Sequence, residues 1–390
     1  MESHWLSLSP DTFIFIDKKK LLLYNAATHR YLQTEISEFT HKLYGYFSVL
    51  DNLYNIKLSD NEYVYNKELL DSIHHNGFGK YQRATTAEKI LSYPPVCKIH
   101  KDIHTIRSDY QEKRAGYILD YLKEITIYLT GDANGSPDFY RQTIYPVMSD
   151  YVIKLDVIMN FMKQLKGASL LAMHILCDTR LLTTYTHFFQ YLKQHAYPVH
   201  FYIFSSSLDQ MNPIPNFFEE INVSVICTGK QKTVPYKPYH YIYLITDESE
   251  LEHALYQSSL YENSEIVPIY TGNNLDFFIK RVFTSKDELL SLQLTKREIF
   301  ARQLLNTNFF GKLTLLPDSS VYANTHITPL GSINDSLYEV IFKALNESDS
   351  WMMTRDGKEP CSDCRFRYLC PPISNYELFI GNNNLCNIWE

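Results

Sequence analysis

No run of 18 consecutive apolar residues occurs in this 390-residue chain, which argues against a membrane-spanning helix. Residues 1–9 lack the basic end, apolar core and small-residue cleavage site of a secretory signal, so the expected location is cytoplasmic. An excess of basic charge is also missing. Lys and Arg number 37 against 44 Asp and Glu, for a net charge of −7, which argues against a nucleic-acid partner. The cluster Lys18-Lys19-Lys20 reads as a solvated turn. There is no Gly-x-Ser-x-Gly elbow and no complete P-loop; Thr228-Gly-Lys230 is only a fragment of one. No internal repeat or low-complexity linker stands out.

What remains is the composition of a soluble globular chain of two or three domains, 45% hydrophobic and 21% charged. The 31 tyrosines suit half-buried strands and contact surfaces, and fit a protein that binds polypeptide. Seven cysteines are an odd number for a disulfide framework, and a chain of this length needs none. Cys97, Cys177 and Cys227 sit singly in apolar surroundings and read as small core residues. Cys361, Cys364, Cys370 and Cys386 fall within the last 30 residues.

Three blocks organise the chain. In residues 1–85, the β-rich runs Thr12–Ile16 and 21–24 flank the lysine turn, and Arg30, Tyr31 and Leu32 continue as a third strand. Helices follow over 35–47 and from Lys67 to a stop at Gly77. This small α+β order resembles the winged-helix RiPP recognition element, which captures the leader of a ribosomal peptide precursor. The resemblance implies that a leader adds to the edge at Arg30, Tyr31 and Leu32, with Leu69 and Ile73 lining a side-chain pocket. Residues 86–114 read as a linker.

Residues 115–295 alternate strand and helix patterns. Strands are expected at 124–129, 169–176, Val199–Phe204, 223–227, 241–246 and 266–270, each a continuous apolar or β-branched run of the kind that parallel strands show. Amphipathic stretches at 155–165, 182–195 and 248–261 separate them. Six such repeats predict an α/β fold with right-handed crossovers. A partial (β/α)6 barrel and an open doubly wound sheet both satisfy the pattern. Residues 296–390 carry a helix at 295–306, a hairpin at 312–316 and 321–323, a helix at 337–345 and the cysteine-rich tail.

Cys361-x2-Cys364-x5-Cys370, with Cys386 fifteen intervening residues later, offers four thiolates to a tetrahedral zinc or a [4Fe–4S] cluster. Arg365 and Arg367 lie inside that loop, placed to offset thiolate charge. Other groupings read as structural. His74-His75 caps a helix end, Asp247, Glu248 and Glu250 form an acidic first turn, and the i, i+4 pair His100 and His104 has no further ligand beside it.

The cysteine spacing resembles the SPASM domain, the C-terminal extension of peptide-modifying radical-SAM enzymes. A full SPASM domain holds two auxiliary clusters, and the positions missing here, Asn324 and Ser374, belong to the cluster nearer the active site. The four present match the outer cluster. Radical-SAM enzymes also carry Cys-x3-Cys-x2-Cys after the first barrel strand. The corresponding segment, Thr130-Gly-Asp-Ala-Asn-Gly-Ser-Pro-Asp-Phe-Tyr-Arg141, has no cysteine, and one register puts Ala133, Pro137 and Tyr140 at the ligand positions. The segment that would bind the cofactor's amino group is replaced by Ile175-Leu-Cys-Asp178.

The layout resembles the pseudo-radical-SAM proteins of Bacteroidales peptide-maturation systems. The resemblance implies a partial (β/α)6 radical-SAM-like barrel between the recognition-element-like and SPASM-like domains, and one structural [4Fe–4S] cluster, with no S-adenosylmethionine bound. It implies a non-catalytic role beside a radical-SAM maturase and a precursor with a double-glycine leader. The alternatives are an iron–sulfur electron-transfer component or enzyme acting with such a maturase, and a zinc-stapled interaction protein.

Overall fold

The computed structural model describes residues 3–84, 92–95, 116–132, 136–208, 221–229, 239–260, 263–346 and 348–388. Most of the expected linker, with Cys97, His100 and His104, lies outside the described residues, as do Ala133 and Lys230.

The first block folds into two three-stranded antiparallel sheets and three helices. Its strands are β1 (Ser3–Leu8), β2 (Thr12–Ile16), β3 (Lys20–Asn25), β4 (Arg30–Glu35), β5 (Asn55–Ser59) and β6 (Gly79–Arg83). The order is β2-β3-β4 in one sheet and β5-β1-β6 in the other. The first sheet is the expected one. The second is additional, because β1 finds its partners some 50 and 80 residues away, beyond any local pattern. The helix Glu38–Phe47 starts at Ser37, whose side chain accepts from the Thr40 N–H. The helix Lys67–His75 stops before Gly77, which adopts a φ of 77°. Strand β3 is buried on both sides. Leu21 and Leu23 face the helices of the first block, while Leu22 and Tyr24 face residues near the C-terminus.

The remaining strands make one nine-stranded sheet. They are β7 (Glu124–Tyr128), β8 (Ala172–Leu176), β9 (Val199–Phe204), β10 (Asn222–Thr228), β11 (His240–Ile245), β12 (Ser264–Pro268), β13 (Lys312–Leu315), β14 (Ser320–Tyr322) and β15 (Gly331–Ser332). Their order is β12-β11-β10-β9-β8-β7-β13-β14-β15. All pairs from β12 to β13 are parallel and the last two are antiparallel. Strands β7 to β12 follow in chain order without a reversal. A doubly wound sheet needs such a reversal, so this order rules that alternative out, and right-handed crossovers place the described connecting helices on one face. The hairpin expected after residue 311 extends this same sheet beside β7.

Period-2 alternation gives the two faces different roles. Ile125, Ile127, Met173, Ile175, Phe201 and Val225 point to the helical face and pack on Ile158, Phe161, Phe188, Phe278 and Ile341. Tyr128, Leu176, Tyr202, Ile226 and Ile242 point the other way. Among the described residues, Phe139, Tyr145 and Val147 from the segment after β7 pack over them. Among the described residues no helix is long and apolar enough to cross a membrane.

Candidate functional site

A succession of tight turns positions the cysteines. Residues Cys361–Asp363 form one turn of 3-10 helix, and the Cys364 N–H donates to the Cys361 carbonyl at 3.0 Å. The Cys370 N–H donates to the Phe366 carbonyl at 2.8 Å, while the Phe366 N–H reaches the Cys364 sulfur at 3.4 Å. Cys386 returns on a separate segment, held by an isolated parallel bridge to Thr284. All four cysteines are unbridged by disulfides and line one cavity of about 210 Å³, together with Arg355, Glu377, Ser374 and Tyr376.

Burial pushes the Cys361 thiol up despite the opposing pull of Arg355. It pushes Cys364 up to about 11 and Cys370 higher still. Without a bound group these three sulfurs are therefore protonated at neutral pH. Among the described residues, no three His, Cys, Asp or Glu side chains stand close enough to share one metal ion as placed. The sulfurs ring a cavity instead of converging on a point. Zinc at roughly 2.3 Å from each sulfur would draw all four into contact, whereas a cubane cluster takes one thiolate at each of four separate irons. An all-thiol donor set spread around a cavity suits the larger group better.

Two residues with no motif to announce them complete the site. Arg355 is buried and donates from Nη1 to Cys361 Sγ at 3.3 Å and to Glu377 Oε1 at 2.9 Å. Burial alone would weaken its charge, but the Glu377 carboxylate beside it outweighs that and holds it protonated more firmly than an ordinary arginine. The two loop arginines are engaged differently. Arg365 pairs with Asp17 and donates to Gln33 Oε1 at 3.2 Å, joining the first block to the cysteine loop. Arg367 lies on the cavity wall, donates to the Ser362 carbonyl at 2.8 Å and pairs with Asp356 at 2.9 Å. Phe13, Phe15, Leu22 and Tyr24 pack against Cys364, Phe366, Leu369 and Cys370, so the β2-β3-β4 sheet forms a wall behind the site.

The C-terminal ends of β7 and β8 are closed. The segment after β7 folds back on itself: the Gly131 N–H donates to the Tyr151 carbonyl at 3.1 Å, and Asp132 N–H to Val147 at 2.8 Å. A side chain at Gly131 would put its Cβ 1.9 Å from the Ser149 carbonyl oxygen, so only glycine permits this closure. Tyr145 stacks edge-on against Phe139 and Phe204. The space left beside Thr130, Cys177 and Asp178 is about 30 Å³, room for a water or two. Cys177 donates to the Asp178 carbonyl at 3.4 Å, and burial raises its pKa strongly. Tyr140 stacks with Arg141. Asn324 donates from Nδ2 to Asn375 Oδ1 at 2.9 Å. Ser374 caps the helix Asn375–Ile380 through the Glu377 N–H.

The other sequence candidates fall as follows. Arg30, Tyr31 and Leu32 lie on β4, which pairs with β3 on one side only among the described residues; Tyr31 is exposed. Leu32 and Leu69 are partly buried against a core that contains Ile73, itself 1% exposed. His75 bonds through Nδ1 to the Asp71 carbonyl at 2.7 Å. Glu250 accepts from the Thr246 N–H at 2.7 Å, and Glu248 pairs with Lys280 and Arg281, so this acidic turn caps a helix.

No family model matches the chain, and no curated protein does either. Among solved structures, the chain is similar to Streptococcus suis SuiB bound to precursor peptide SuiA, at 10% identity and a TM-score of 0.47, covering 99% of each chain. It is similar to SuiB bound to S-adenosylmethionine at 10% identity and a TM-score of 0.44, covering 97% of each.

Proposed function

We propose that this chain is a radical-SAM-like protein of ribosomal-peptide maturation that performs no radical chemistry itself. In this reading residues 1–85 bind a precursor leader, 115–295 form a partial (β/α)6 barrel without its catalytic cysteines, and 296–390 form a SPASM-like domain with one [4Fe–4S] cluster. Cys361, Cys364, Cys370 and Cys386 hold that cluster, and an active radical-SAM maturase is the partner. The observation that carries the reading is a contrast within one chain. Four cysteines surround a single cavity near the C-terminus, while the strand ends where the catalytic cluster would sit have no cysteine triplet and almost no space.

When bound, an all-thiolate cluster supplies a rigid cross-link and the capacity to carry one electron. The chain's own residues do the rest. The turns at 361–370 and the bridge at Thr284 bring the sulfurs to one cavity, and the β2-β3-β4 wall keeps water from Cys364 and Cys370. The free edge of β4 supplies main-chain hydrogen bonds to an extended peptide.

Anaerobic purification with iron, sulfide and zinc analysis tests the site. About four irons per chain, with a broad absorbance near roughly 400 nm, is the expected result, and stoichiometric zinc would replace the cluster reading with the zinc-stapled one. Leader binding is tested on the full chain with a synthetic double-glycine leader and the Arg30→Ala/Tyr31→Ala double variant. Weaker binding by at least fivefold is expected; unchanged affinity would remove the Arg30 and Tyr31 side chains from the proposed peptide contact.

A further inference from the structure

The inference rests on the cluster reading above and concerns what one buried guanidinium does there. Arg355 Nε donates to the Pro371 carbonyl at 2.8 Å, one residue past Cys370. Its Nη1 donates to the Asn383 carbonyl at 2.9 Å, three residues before Cys386, and to Cys361 Sγ at 3.3 Å. The segments bearing Cys361, Cys370 and Cys386 therefore meet on a single planar fork. Glu377 grips the fork from Nη1 at 2.9 Å and Nη2 at 3.4 Å. The oxygen facing Nη2, Oε2, also accepts from the Ser374 N–H at 2.7 Å and Oγ at 3.2 Å. Arg355 and Glu377 are 9% and 3% exposed.

Burying such a pair costs desolvation that neutral thiols do nothing to offset. Four thiolates around a cluster do, because they concentrate negative charge in a poorly hydrated place. Cys361 also donates its thiol proton to the Asn383 carbonyl at 3.3 Å. When that proton leaves on ligation, Asn383 keeps the Arg355 N–H and the sulfur keeps its own. Hydrogen bonds to ligand sulfur and fixed nearby charge are the levers that set a cluster's reduction potential. Lysine would bring the charge without the fork.

We propose that Arg355, clamped by Glu377, is a positioning residue that holds the Cys361 thiolate and raises the reduction potential of the iron–sulfur group. The step concerned is one-electron reduction of the cluster by an external mediator, with no bond made or broken in the protein.

The test compares full-length wild type, Arg355→Gln, Arg355→Lys and Glu377→Gln after anaerobic purification. Iron and sulfide per chain are measured first, and a wild type without iron defeats the cluster reading itself. Redox titration followed by visible absorbance and electron paramagnetic resonance then addresses Arg355. In Arg355→Gln the reduced-to-oxidised ratio at a fixed potential should fall at least tenfold, equivalent to about 59 mV for one electron. Arg355→Lys should fall between it and wild type. Glu377→Gln, which removes the opposing charge, should shift the other way. Equal potentials in the loaded proteins would overturn the proposal. If the Arg355 variants lose the cluster, Glu377→Gln decides, and no rise there overturns it. Loss of the cluster from all three variants would leave Arg355 a structural clamp, which also overturns it.

Discussion

His174 shows how one partly buried polar residue makes the sheet sensitive to acid. It stands on the unhelical face of β8, sharing a 2.9 Å hydrogen bond with the Tyr202 hydroxyl. The His200 ring lies 5.4 Å away, Glu124 is 4.0 Å from its Nε2, and Lys312 pairs with that same carboxylate at 2.8 Å. Burial, helped by His200, pulls the His174 pKa down to about 4 against an ordinary 6.5. The unfolded chain then binds a proton between these two values that the folded chain refuses. Stability tied to neutral His174 is complete above pH 6.5 and is lost as the pH falls to about 4, by on the order of 3 kcal/mol. Denaturant titrations at pH 7 and pH 4.5 should show His174→Gln losing less stability on acidification than wild type. Parallel pH profiles would remove His174 as the cause.

At the scale of elements, the segment between β7 and the helix Leu155–Gln164 decides what the sheet ends are able to hold. Its closure depends on the approach of Gly131 to Ser149 and on the aromatic plug of Phe139, Tyr145 and Phe204. Gly131→Ala forces the two strands of this loop apart, because backbone oxygen cannot yield as a side-chain tip can. A cost of about 1–3 kcal/mol is expected, with faster amide exchange across 139–153 and no change in iron content. Unaltered exchange in that segment would show that the loop is not zipped by this contact.

For the whole molecule, the consequence lies in what the cysteine loop supports. Phe366 is fully buried between the loop and strands β2 and β3, and Tyr24 reaches from β3 to accept the Leu294 N–H at 2.8 Å. The first block is thus seated on the same turns that carry the sulfurs. Under the proposed cluster reading, chelation should raise hydrogen exchange in residues 12–26 as well as in 361–370, since a loop without its cross-link would no longer present a fixed Phe366. Phe366→Ala should reproduce the effect in residues 12–26 while costing about 3–5 kcal/mol. Protection in 12–26 that is indifferent to the metal would separate the two parts. This seating also makes point substitutions on β4 a cleaner test of peptide binding than excision of the first block.

The sequence by itself determined the elements whose signals are local. The apolar runs of β7 to β11 and the helix stop at Gly77 follow from side-chain period and backbone freedom decided within a few residues, whereas the helix expected from 35 starts only after the Ser37 cap, at Glu38. The clustering of four cysteines was legible in their spacing, and the fold brings all four to one cavity. Tertiary structure alone decided the rest. Strand order made the sheet singly wound, and β1 joined partners that no neighbouring residue specifies. Arg355, six residues before Cys361, and Glu377, seven after Cys370, met beside the cysteines only by folding, and Arg365, which sits inside the motif, was drawn away to Asp17. Charge acts through space, so the partner of a buried cation is chosen by the fold and not by the distance along the chain.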